Sequence, residues 1–441
     1  MRNIKIGLSV MVMLLDIILQ TVAQDVRKEL KADANRSAGV YYALPVSKSY
    51  HDTPAPKGKH PYYFSHYGCP AAFYLTQSNE YKKPLAILAK ADSLGKLTSL
   101  GHDVLKRLEQ VWEDARQRSG EVKEQGALQM REQMKQLVQR FPEMFTDDSY
   151  IDTRSIVISR NIQSCNEAMV ELARHCHSYK AFFSSHRDRN WMNPLDDKLS
   201  SQRMDSLTMV YYNRFYALNT SDTRLMESLF SDQNYVVQNI DAAALSRALF
   251  RLAGSVQMTK LEKRLTLYDL FTPEEIYRHW RRQNAWNYIS YGNCTLNGGK
   301  QPYIQRETLW NMLHMGDSVL TLDHPVVHLR YTHENAVMSL ASLMELDGCG
   351  VSTSNLDSLE LYGWVNYRIA PLGGRIELIH YRSGPHDKDP LVKVLLNGRE
   401  ARLPVETNCA PYYHWYDVKR YYLRKLYRYE NARNNEKDQK K

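Results

Sequence analysis

Several signatures are missing from these 441 residues, and each absence closes a class of function. No Gly-x-Gly-x-x-Gly follows a strand-like run, and there is no Gly-rich loop ending in Gly-Lys-Ser/Thr, no His-Glu-x-x-His and no Gly-x-Ser-x-Gly. The usual sequence routes to dinucleotides, nucleoside phosphates, catalytic zinc and serine-hydrolase chemistry are therefore closed. Internal repeats and low-complexity segments are also missing, and so is any Cys-x-x-Cys pair. Phenylalanine is scarce at 10 residues against 30 tyrosines. A ring with a hydrogen-bonding tip suits a polar, groove-rich surface better than an oily one.

The rest of the composition is that of an ordinary globular protein, 43% hydrophobic and 24% charged. The length suits two to three units of about 150 residues, or one large α/β domain with an insertion. The formal charge of +9 is concentrated at the C-terminus, where Val418 to Lys441 carries nine Lys or Arg against three Asp or Glu. A near-neutral body with a basic tail, and with no zinc-finger, RNP or basic-zipper pattern, argues against a nucleic-acid partner. Residues 430–441 read as a solvated, flexible tail.

The N-terminus reads as an export signal over residues 1–23. It has Arg2 and Lys5, an apolar run from Ile6 to Ile18 broken by Asp16, and small residues Thr21-Val22-Ala23 before a cut. The run falls short of the roughly 20 residues of a bilayer span. After cleavage no stable membrane span is expected, and the location is periplasmic, cell-envelope or secreted. Six cysteines in such a compartment allow up to three disulfides.

Along the chain, HPYYFSHYG (60–68) suits a buried strand ending in a loop, and residues 84–140 have helical period broken near Gly95 and Gly120. SIVIS (155–159) suits a strand running into the helix NIQSCNEAMVELARH, with Arg160 at the junction. Residues 176–299 read as a helical insert between core segments 24–175 and 300–429. Its helices are expected at Ser206–Leu218, Tyr235–Ala253, Leu261–Leu270 and Pro273–Tyr291. HPVVHLRY (324–331) is a strand ending before His333-Glu334-Asn335 and an apolar helix. RIELIHY and LVKVLL alternate as strands, with Asn397-Gly398 as a hairpin turn. His175-Cys176-His177 points its residues to different sides of a helix, so no metal site is read there.

Strand ends at 68, 160 and 333 thus carry His66-Tyr67-Gly68, Arg160 and His333-Glu334. Arginine, histidine and a carboxylate at successive strand termini can hold a phosphate dianion and protonate a leaving oxygen. The longer segments around them go further. AGVYYALP, TPAPKGKHPYYFSHYG, GKLTSLG, QRFPEMF, SIVISRNIQSCNEAM, LRYTHENAVMSLASLMELDG, LVKVLLNGREARLP and APYYHWYDV, in that order, resemble the histidine acid phosphatases. The likeness is to the exported bacterial type similar to multiple inositol polyphosphate phosphatases. It implies an α/β sandwich with a helical cap insert, no metal or other cofactor, and phosphorylated small molecules such as inositol phosphates as ligands; it leaves oligomeric state open.

It also implies roles. In that branch Ser-His-Tyr-Gly is followed by Arg-His-Gly-Ser-Arg, where this chain has Cys69-Pro70-Ala71-Ala72-Phe73. By the resemblance, Cys69 and Phe73 replace two clamp arginines and Pro70 replaces the nucleophilic histidine. Arg160 matches the third, phosphate-binding arginine and His333 the second histidine. The acid falls at Glu334, or at Asn335 if the His-Ala-Glu pattern applies. His66 is expected to be a structural hydrogen-bonder, and Arg281, Arg282 and Lys300 of the insert to supply charge for anionic ligands. The expectation is a silent pseudophosphatase with weak affinity for phosphorylated ligands. The alternatives are a phosphomonoesterase with a non-standard nucleophile or water held by Arg160 and Glu334, and an exported structural or binding module.

Overall fold

The computed structural model describes residues 25–438 except 48, 178, 184–188, 195, 204 and 221; the export signal expected at 1–23 lies outside them. Eight strands form the central sheet: β1 (His60–Gly68), β2 (Tyr150–Ser155), β3 (Lys180–Phe183), β4 (Val326–Tyr331), β5 (Arg375–Arg382), β6 (Leu391–Leu396), β7 (Arg399–Glu400) and β8 (Tyr412–His414). Their order is β8-β6-β5-β1-β4-β2-β3, with β7 paired to β6. β1, β4, β2 and β3 run parallel, whereas β5 is antiparallel to β1 and continues into the antiparallel half. The Asn397-Gly398 turn forms as expected, with both residues at positive φ (54° and 79°) joining β6 to β7.

β4 and β5 are buried along their whole length. One face of the sheet is covered by the helices Glu124–Arg140 and Ser159–Leu172, which pack on Phe64, Leu329, Tyr331 and Ile379. The other is covered by Glu334–Leu343 and the long helix Trp415–Asp438, around Tyr67, Leu378 and Val394. The tyrosines are where the surface reading fails. Tyr63, Tyr67, Tyr74, Tyr288, Tyr367 and Tyr422 are among the largest fully buried side chains. Burial is tolerable because their hydroxyls find partners: Tyr67 donates to Met192 O at 2.6 Å and Tyr422 to Met344 O at 2.8 Å.

Other sequence readings shift. The strand expected at 155–159 is Tyr150–Ser155, because its neighbour β4 ends at Tyr331, opposite Ser155, and offers no backbone beyond. The Tyr235–Ala253 helix is two, Gln233–Asn239 and Ala242–Ser255, because the Asp241 side chain caps the second by accepting from Ala244 N at 2.9 Å. Residues 261–270 form turns and a short 3-10 segment, Tyr268–Leu270, rather than a helix. Residues 430–438 are helical, not a flexible tail, since Arg433 pairs with Asp196 at 3.3 Å and Glu430 with Arg306 at 2.9 Å. No two of the six cysteines are bonded, and five are buried thiols.

The stretch read as the insert contributes β3, the edge of the sheet. Conversely, the helices Ser78–Ser93 and Ser99–Ala115 belong to the helical layer, sharing a core with residues 225–276 through Leu88, Val104, Leu108, Leu229, Leu249 and Ile276. The cap is therefore built from two stretches of chain. Among the described residues no helix is long and apolar enough to cross a membrane.

Candidate functional site

The parallel half of the sheet aligns Gly68, Tyr331 and Ser155 in one register row. The residues that follow form the carboxyl edge of the sheet, where open α/β folds place their ligands. Three hydrogen bonds lock that edge: Thr332 N to Gly68 O (2.8 Å), Ile156 N to Tyr331 O (3.1 Å) and Asn161 Nδ2 to Thr332 O (2.6 Å). The last ties the start of the Ser159–Leu172 helix to the end of β4. Its consequence is that Arg160 Nη2 lies 3.2 Å from His333 Nδ1. Residues 173 apart in sequence thus meet, as the strand-end reading expects.

Burial lowers the His333 pKa, with the Glu334 carboxylate opposing and the Arg160 cation reinforcing. The imidazole is therefore neutral near pH 7, its Nδ1 accepts from Arg160, and Nε2–H is the remaining donor. Glu334, the first residue of its helix, is 5% exposed, and its Oε2 is buried without a partner among the described residues. Asn335 is half-buried one residue on.

The Cys69–Phe73 segment takes the opposite character, since all five residues are buried. Cys69 N donates to Gly374 O at 2.9 Å, and its thiol donates to Pro371 O (2.8 Å) and Gly374 O (3.1 Å). Burial, then the Glu334 carboxylate, pushes the Cys69 thiol pKa up. Pro70 O accepts from Gly373 N at 2.7 Å, Ala71 N donates to Ser164 Oγ at 3.0 Å, and Ala72 O accepts from Lys123 N at 2.9 Å. The Phe73 ring lies 4.8 Å from the Arg160 guanidinium carbon and edge-on to Tyr41. These contacts make the loop a sealed floor.

Beneath it lies a cluster that sequence reasoning missed. His66 Nδ1 is 3.4 Å from Glu377 Oε1, which also accepts from Arg375 Nε at 2.8 Å. All three are buried. Burial works against the Glu377 anion, but the Arg375 cation outweighs it and takes the carboxyl down to about 2. Burial lowers the His66 pKa despite Glu377, so this ring is neutral. A Cβ on Gly68 would stand 2.6 Å from His66 Nε2, which is why the strand ends in glycine. The signal was in RIELIHY: Arg375 and Glu377 share one face of a fully buried strand, opposite Gly68 and His66.

The insert's basic residues diverge. Arg281 is paired with Asp357 at 2.8 Å, Lys300 lies beside Leu199 and Tyr429 at another surface depression, and only Arg282 faces a cavity, of about 230 Å³, inside the cap.

No family model and no curated relative matches the sequence. Solved structures do match the fold. The Bifidobacterium longum multiple inositol polyphosphate phosphatase, complexed with inositol hexasulfate, is 14% identical over 87% of this chain and 97% of that one, with a TM-score of 0.72. The D. castellii phytase is 11% identical over 89% and 85%, at 0.64. The Hafnia alvei phytase with tartrate is 12% identical over 84% and 98%, at 0.51. The chain thus has the mixed α/β fold of the phytases and inositol polyphosphate phosphatases, the histidine acid phosphatase fold.

Proposed function

We propose that this protein is an exported, catalytically silent protein on the histidine acid phosphatase fold, keeping at Arg160 and His333 a weak site for a phosphorylated small molecule. The observation that carries it is the seat of Pro70. Where the resemblance puts a nucleophilic histidine, this chain has a buried imino acid whose carbonyl is bound by Gly373 N at 2.7 Å. It has no lone pair with which to form a P–N bond. Cys69 does not substitute for it: a buried thiol donating to two carbonyls is the opposite of the exposed, electropositive setting that makes a thiolate.

Phe73 fills with an apolar ring the place the resemblance gives to a guanidinium. What stays for an anion is the Arg160 cation and the Nε2–H of a neutral histidine. Charge-assisted contacts contribute about 1.5–3 kcal/mol each, so one such pair gives millimolar rather than nanomolar affinity. Glu334 is the remaining acid at this edge, and any residual hydrolysis would depend on it.

The test is phosphate release from phytate and from p-nitrophenyl phosphate, together with trapping of a phosphoenzyme. The expected result is no release above a heat-killed control and no covalent adduct. Turnover that disappears in Glu334→Gln would overturn the silent reading in favour of water-based hydrolysis. Weak binding of phytate by calorimetry that is lost in Arg160→Ala would support the ligand half, and no heat up to millimolar phytate would remove it.

A further inference from the structure

The cavity of about 230 Å³ in the cap lies among the helices Ser206–Leu218, Ala242–Ser255 and Pro273–Tyr291 and the 3-10 segment Ala34–Tyr41. Its walls are aromatic. Tyr212 and Trp286 pack with ring centres 5.1 Å apart on one side, and Phe250 stacks on His279 at 4.2 Å on another. Among the described residues its charge is all of one sign: Arg247, Arg251 and Arg282 line it, and no carboxylate does. Arg251 is matched from outside by Glu80 at 3.1 Å. Among the described residues Arg247 and Arg282 form no ion pair.

Arg282 is the group that most needs an anion. It is 4% exposed, and among the described residues it donates only to neutral partners, Thr220 Oγ1 at 2.8 Å and His279 Nδ1, while its buried Nε has no partner. Its guanidinium carbon lies 4.6 Å from the Tyr216 ring, and Arg247, which donates to the Tyr216 hydroxyl at 2.7 Å, stands over the same ring. Burial, then the cations Arg282 and Arg247, pushes the His279 pKa well down, so this ring adds no charge. Burial lowers the Arg282 pKa, and the Asp222 carboxylate opposes this only through space, with no ion pair between the two; a buried cation without a directly bonded anion is costly unless something binds to it. Gln283 also lines the cavity.

We infer that this cavity binds a small aromatic carboxylate, its ring between the Tyr212–Trp286 and Phe250–His279 walls and its carboxylate on Arg282 and Arg247. The size fits: a dry cavity of about 150 Å³ holds benzene, and the extra volume here accommodates an acid group. An inositol polyphosphate is a poor match, since several phosphate groups need more than two uncompensated guanidinium groups and gain little from ring walls. The site is independent of the silent-phosphatase reading, because neither Arg160 nor His333 lines it.

The test uses the whole protein and 4-hydroxybenzoate as probe, read by calorimetry and by Trp fluorescence. Saturable binding is expected, at least tenfold weaker for the neutral 4-hydroxybenzamide and at least tenfold weaker in Arg282→Gln. Because Arg282 is buried and its variant can misfold, the exposed Arg247→Gln is made beside it, with weaker binding expected at an unchanged melting temperature. Arg160→Ala should bind the probe like the wild type. No binding up to millimolar probe, equal binding of acid and amide, or binding lost in Arg160→Ala but kept in Arg247→Gln would each overturn the inference.

Discussion

Two arginines in this protein have nearly the same neighbours. At the sheet edge Arg160 donates to the Nδ1 of neutral His333 and faces the Phe73 ring; in the cap Arg282 donates to the Nδ1 of neutral His279 and faces the Tyr216 ring. They differ in what surrounds them. Arg160 has beside it His333, whose neighbour in the chain is Glu334, and the fully buried Cys69–Phe73 loop, whereas Arg282 faces an aromatic cavity that no carboxylate lines among the described residues. The same local chemistry is narrowed by a buried loop in one place and open to a cavity in the other. An arginine holds an anion more tightly where space and uncompensated charge coincide.

That contrast can be broken most forcefully at the sheet. Arg375→Ala would leave Glu377 buried without its cation, and a loss of about 3–5 kcal/mol is expected in urea unfolding. A loss under about 1 kcal/mol would mean that this end of the sheet is wetter than its burial implies. Phe73→Ala should cost about 3–4 kcal/mol if the ring seals the loop, while Tyr216→Ala at the half-open cavity should cost roughly half that. Equal losses would erase the distinction between sealed and open.

Acid should act on both regions, through buried neutral His279 in the cap and His380 in the sheet. Burial lowers the His380 pKa from an ordinary 6.5 to about 3, so its neutral form is required by the fold while the unfolded chain takes up a proton below 6.5. Its contribution is complete above that value and is lost as pH falls toward 3. Glu377, held near 2 against an ordinary 4.5, adds a second loss starting lower. Urea titrations from pH 7 to 3 should therefore show falling stability; a flat profile from 7 to 4 would contradict the His380 assignment, and no further loss below 4 would contradict that of Glu377. The smallest effects belong to the two arginines themselves. Arg160→Ala is expected to cost about 0.5–1 kcal/mol, the net worth of one hydrogen bond. Arg282→Gln is expected to change stability by under about 1 kcal/mol, because it removes a buried charge together with its contacts.

Much of the site was legible before folding. His333 and Glu334 could be placed just past a strand end because an apolar, β-branched run that stops at a polar residue marks where a sheet gives way to a loop, whereas Arg160 lies in the first turn of a helix, beyond a strand that ends at Ser155 and not at 159. The Arg375–Glu377–His66 cluster escaped because alternation in RIELIHY shows which residues share a face, not that both faces are buried. The cap cavity escaped for a related reason: its walls come from segments 34–41, 206–218, 242–255 and 273–291, and helical period assigns no partner to any of them.

The sequence alone determined the strands at 60–68, 326–331, 375–382 and 391–396, the hairpin at Asn397-Gly398 and the imino acid at position 70, since alternation, turn chemistry and a missing side-chain donor are local properties. Only the tertiary structure decided which charges would meet. Arg160 reaches His333, Arg375 finds Glu377, and Arg282 is left facing a cavity, because Coulomb attraction and desolvation depend on distance and burial, and both are set by packing between residues far apart in the chain.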